Sequence, residues 1–123
     1  MSYSGTVLDH FQNPRNTGDL READAEVRME NPACGDIMTL AVTLANGRID
    51  QVRYRVRGCV AAIAAGSCLT ELIQGKPLAD AEALTRQQLV DALGGLPNAS
   101  IHASHLAMDA LNAALRKLRT QHD

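Results

Sequence analysis

Few side chains in this sequence can hold or attack a ligand, and the three cysteines, Cys34, Cys59 and Cys68, come first among them. Cys34 and Asp36 stand two apart in Asn31-Pro32-Ala33-Cys34-Gly35-Asp36, where Gly35 permits a backbone angle that turns both side chains toward one point. A thiolate and a carboxylate so placed can ligate zinc or iron. The same spacing also suits a loop cysteine beside a turn-forming aspartate. Cys59 follows Gly58 at the junction between an arginine-rich strand and an apolar helix. There the free N–H groups and the helix dipole favour a thiolate, while the plainer reading is a small buried hydrophobe. Cys68 lies nine residues on, turned by about 180° and displaced by about 13 Å along a continuous helix, so its expected role is packing. His102 and His105 share one face at the start of the last helix and could bind a metal singly or together, or be structural or solvated. His10 and His122 have nothing to recommend them as ligands. Arg53, Arg55 and Arg57 form a basic stripe that meets either solvent or an acidic partner.

Periodicity shows which elements must position these groups. Residues Tyr3 to Phe11 place Val7, Leu8 and Phe11 on one side at helical spacing, with Ser2 or Ser4 as N-cap and Asn13-Pro14 as the stop. Ala25 to Glu30 alternates Val27 and Met29 against Glu26, Arg28 and Glu30, which predicts a first strand. Met38, Leu40, Val42 and Leu44 alternate with Thr39, Ala41 and Thr43, Asn46-Gly47 supplies a tight turn, and Val52, Tyr54 and Val56 lie on the return strand. Cys59 to Gln74 reads as a buried helix ended by Gly75. Thr85 to Gln88 fits a capping box before a short helix that stops at Gly94-Gly95, and Ile101 to Leu118 is an amphipathic closing helix. Strands followed by helices predict an α+β fold: a small three-stranded antiparallel sheet with helices packed on one face, as one domain over residues 1–123.

Composition removes several function classes. With 46% hydrophobic and 21% charged residues the chain belongs among globular sequences, and its apolar runs are too short to span a bilayer. A net charge of −2 and 2% aromatic residues argue against nucleic acid as a partner. The N-terminal residues lack a basic region followed by an apolar one, so the expected location is cytoplasmic. An odd number of cysteines in such a chain points to reduced thiols rather than a disulfide framework.

Taken in order, the motifs become more specific. Asp9-His10-Phe11-Gln12-Asn13-Pro14-Arg15-Asn16-Thr17-Gly18, Asn31 to Asp36, Gly58-Cys59 through Ser67, Leu96-Pro97, Ile101-His102 and Leu106 to Ala110 closely resemble the IscU/NifU N-terminal family of iron–sulfur cluster assembly scaffolds. The resemblance covers nearly the whole chain. It implies a non-enzymatic scaffold or carrier that holds an iron–sulfur cluster of the 2Fe-2S kind, or iron. A cysteine desulfurase would supply the sulfur and apo iron–sulfur proteins would receive the product. Cys34, Asp36, Cys59 and His102 match ligand or near-ligand positions. The family's third cysteine directly follows the histidine, and Ala103 stands there instead.

That substitution leaves two sulfur ligands where the family has three. His102 could complete a mixed set, as imidazole does in Rieske centres. His105, about 60° around the helix from His102, could assist it, whereas Cys68 is too remote. The family's chaperone-bound Leu-Pro-Pro-Val-Lys segment reads Leu96-Pro97-Asn98-Ala99-Ser100 here, which argues against chaperone recognition. Two alternatives accompany the scaffold reading. One is a zinc-binding sulfur acceptor carrying a persulfide on Cys34 or Cys59, although the insertion typical of the zinc branch is not evident. The other is a degenerate relative acting as an interaction module. Both metal readings require the inter-strand turn, the strand-to-helix corner and the start of the last helix to meet at one pocket.

Overall fold

Asn46 and Gly47 hold φ angles of 56° and 75°, the paired left-handed values that a two-residue hairpin turn demands. Around that turn β2 (Ile37–Ala45) pairs with β3 (Arg48–Arg57), and β1 (Ala25–Glu30) pairs antiparallel with the other side of β2. The computed structural model describes residues 2–122, with side chains through Thr120. The register aligns Val27, Leu40 and Tyr54 across the sheet. Because strand side chains alternate, this row faces the core and the next row, Arg28, Thr39 and Arg55, faces outward. A bulge between Thr43 and Leu44 absorbs the one irregularity in the hairpin.

Helices close the inner face only, as the α+β expectation requires. The five are α1 (Gly5–Gln12), α2 (Val60–Ile73), α3 (Leu78–Ala83), α4 (Arg86–Ala92) and α5 (His102–His122), with a 3-10 turn at Asn98–Ser100 before α5. Packing places α5 over β1 and β2, α2 over β3, and α1 against α2. Four alanines and Gly66 let α2 approach the sheet closely. A Cβ on Gly66 would lie 2.5 Å from the Tyr54 ring, whose hydroxyl donates to the Ile63 carbonyl at 2.8 Å.

Local signals behave as their chemistry predicts. Ser4, rather than Ser2, caps α1 by accepting from the Val7 amide at 3.0 Å. Thr85 and Gln88 form the reciprocal capping box of α4, and Gly75 leaves α2 at φ 79°. The one helix not expected is α3. It has six residues and one buried side chain, Ala81, too little for periodicity to register.

His10, which nothing recommends as a ligand, is 5% exposed and joins α1 to α2. Its Nδ1 lies 2.7 Å from Ser67 Oγ, and Nε2 lies 3.4 Å from the Glu71 carboxylate. The Arg15 amide donates to the same Ser67 oxygen at 2.9 Å. In neutral His10 with hydrogen on Nε2, facing Glu71, Nδ1 accepts the Ser67 hydroxyl proton. Burial and the nearby Arg15 charge hold the His10 pKa below its ordinary value.

Candidate metal centre

Asp36 ends a tight turn whose backbone is fixed by the Asn31 amide donating to the Asp36 carbonyl at 2.8 Å and the Gly35 amide donating to the Asn31 carbonyl at 2.7 Å. Gly35 takes φ 78°, the left-handed angle expected of it. The turn leaves Cys34 exposed, whereas Asp36 is 7% exposed and aimed at the strand-to-helix corner. Gly58 makes room for it there. A Cβ on residue 58 would fall 2.6 Å from Asp36 Cγ and 2.7 Å from Oδ1, closer than real contacts allow.

Cys59 is the N-cap residue of α2 in extended conformation, and its side chain does not cap the helix. Its Sγ instead lies 3.1 Å from Asp36 Oδ2 and 3.9 Å from His102 Nε2. His102 is the first residue of α5, and its Nε2 is 3.9 Å from Asp36 Oδ2. Donor atoms of Cys34, Asp36 and His102 all lie within 4.8 Å of one another. Three segments far apart in sequence thus bring two thiols, a carboxylate and an imidazole to one place. The Cys59 sulfur joins those three donors through its approach to Asp36 and His102.

Electrostatics differ from the sequence expectation at one donor. Burial, followed by the hydrogen bond to Asp36 and its charge, pushes the Cys59 thiol up. The Ala61 and Ala62 amides pull the other way, as the dipole argument predicts, but they are outweighed. Without metal, Cys59 keeps its proton and donates it to Asp36. A divalent cation held by Cys34, Asp36, Cys59 and His102 would reverse this balance, because binding to thiolates releases their protons.

Other candidates fall outside the cluster. His105 is exposed and is not among the converging donors, so it gives His102 no assistance. Cys68 is 3% exposed, with its thiol pushed up to about 11 by burial and by Glu71, in line with a packing role. Ala103 is fully buried and brings no donor. The side chain of His122 lies outside the described residues. Sequence reasoning missed Gly58 as the residue that admits Asp36; the available signal was a glycine immediately before a candidate ligand.

Residues 2–123 match the NifU-like N terminal domain family. The chain belongs to that family. Among relatives of this NifU-like domain, the iron-sulfur cluster assembly scaffold protein IscU 1 of Archaeoglobus fulgidus is 45% identical, covering 92% of this chain and 74% of its own. The corresponding scaffold protein IscU of Escherichia coli K12 is 38% identical, covering 100% of this chain and 98% of its own. The structure of the N-terminal part of a NifU-like protein from Brucella abortus superposes with a TM-score of 0.77 at 17% identity, over 95% of this chain and 94% of that one. That likeness bears out the expected fold. Among the described residues no helix is long and apolar enough to cross a membrane.

Proposed function

We propose that this NifU-like domain is an iron–sulfur cluster assembly scaffold that holds iron and sulfide as cargo between Cys34, Asp36, Cys59 and His102. The observation that carries the reading is convergence: Cys59 Sγ, at 3.1 Å from Asp36 and 3.9 Å from His102, joins a set of donors drawn from a turn, a helix cap and a helix start. The relatives named as scaffolds support it over nearly the full chain. Sulfur would come from a cysteine desulfurase, and apo iron–sulfur proteins would take the product. Exposed Cys34 is the donor that an approaching partner meets first, while Cys59 and Asp36 share the proton that iron displaces.

The chemistry of the donor set fits iron–sulfide cargo with fewer thiolates than clusters commonly have, because Ala103 offers no lone pair. A 2Fe-2S cluster would then have one carboxylate and one imidazole among its four terminal ligands. The same set of two sulfurs, one oxygen and one nitrogen also favours a second reading, a single tetrahedral zinc ion in a sulfur-accepting protein. Anaerobic incubation with ferrous iron, cysteine and a cysteine desulfurase separates the two. A scaffold gains iron and acid-labile sulfide in comparable amounts, with visible charge-transfer absorption. Iron without labile sulfide refutes the scaffold reading, and retained zinc that accelerates the desulfurase establishes the second. In either case Cys59→Ala abolishes metal retention and Cys68→Ala preserves it; equal losses would place the ligand set wrongly.

A further inference from the structure

The free edge of β3 beside the donor cluster is half occupied by the chain itself. Tyr54 gives its amide to the Asn16 carbonyl and accepts from the Gly18 amide, both at 3.0 Å, so residues 16–18 lie along this edge as a short parallel strand. Asp19, next in that segment, places its carboxylate 2.8 Å from Arg55 on the outward face. Backbone pairing at one residue and a carboxylate on the neighbouring arginine together form one unit of recognition.

Two residues further on, the same unit is present without its complement. Strand alternation turns the Val56 N–H and C=O to the side used by Tyr54, and among the described residues no hydrogen bond reaches them. Arg57 repeats the position of Arg55 about 6.8 Å along the strand, is exposed, and has no ion-pair partner among the described residues. An open groove of about 620 Å³ runs from this edge, at Pro14, Val56 and Ile63, onto the outward face of the sheet past Arg57, Thr39 and Arg28.

We propose that this groove docks an extended acidic segment of a partner protein, which adds to the edge of β3 at Val56 and sets a carboxylate on Arg57. The unpaired backbone groups select a peptide over other anions, and the free Arg57 selects a carboxylate on the residue that faces it. A second copy of this chain is excluded by charge. Antiparallel self-pairing centred on Val56 would set Arg55 of each copy against Arg57 of the other. The docked segment would lie two residues from Cys59, so this face is where a partner meets the donor cluster.

The test uses the full chain, metal-free, with a fluorescein-labelled octapeptide of alternating Glu and Val, followed by anisotropy and by amide exchange. Saturable binding that weakens with salt, with slowed exchange of the Val56 amide, is expected. Arg57→Glu should weaken it about fivefold, and the Lys-Val octapeptide should then bind better than the acidic one. Circular dichroism of this exposed-site variant controls for folding. An acidic peptide N-methylated at alternate residues keeps its charge and should lose binding. Equal binding of the methylated peptide, of the Lys-Val peptide to wild type, or of a single-stranded oligonucleotide would overturn the proposal. So would exchange protection that maps away from Val56, or a dimer seen in sedimentation.

Discussion

Gly58 is selected by what stands opposite it rather than by its own conformation. A methyl group at this position must displace the Asp36 carboxylate, because the contact would be 2.6 Å. Gly58→Ala should therefore fold normally yet weaken Zn(II) or Co(II) binding by about 10-fold or more, the usual consequence of disturbing a ligand's support; competition with a chromophoric chelator measures this. Asp36→Asn tests the proton shared with Cys59. Removing the carboxylate charge should lower the Cys59 pKa and speed its alkylation in the metal-free protein, each pKa unit raising the thiolate fraction about tenfold. Mass spectrometry of iodoacetamide-treated protein should rank wild-type reactivity as Cys34, then Cys59, then Cys68, following their exposure. All four donors were legible as residue types with suggestive spacing. Their electrostatic balance was not, because the burial that raises the Cys59 pKa depends on segments 23 and 43 residues away.

Between α2 and β3 the contact is set by the absence of a side chain. Gly66→Ala would drive a Cβ to 2.5 Å from the Tyr54 ring and so force the helix off the sheet. Overpacking of this kind costs about 1–3 kcal/mol, which thermal unfolding would show as a loss of several degrees. The hairpin, α2, α4 and α5 could be read in advance because each carries its own punctuation: Asn46-Gly47, Gly75, the Thr85 capping box and a long apolar stripe. No such mark exists for α3, and the helical conformation of Leu78–Ala83 follows from its position after Pro77 and from Ala81 entering the core. The strand pattern gave the inward row of Val27, Met38, Leu40, Val42, Val52 and Tyr54, but not the burial of Ala41, nor the short strand-like segment at residues 16–18 that covers Tyr54.

Cooperation between distant segments also makes stability depend on pH. Because the folded state holds the His10 pKa below 6.5, only the unfolded chain takes up a proton there between the two values. This contribution to stability is complete above about pH 6.5 and drains away as pH falls toward the folded pKa. One such group gives a slope no steeper than about 1.4 kcal/mol per pH unit. Urea unfolding from pH 8 to pH 5 should show that decline in the wild type and a flatter profile in His10→Gln; parallel profiles would assign the acid sensitivity elsewhere. Sequence could not announce this link, since His10 and its partner Ser67 are 57 residues apart and lie on separate helices whose packing only the fold determines. Convergence of the ligand cluster was likewise only a requirement until the chain was folded. Within that cluster Cys34 alone is exposed, while Asp36 is buried and Cys59 and His102 are half-covered. With iron and sulfide held as proposed, an incoming thiolate would meet the exposed Cys34 before any other donor, and ligand exchange would acquire a direction. Release would then begin at the outer turn and end at the helix cap, like a clasp that opens from one side.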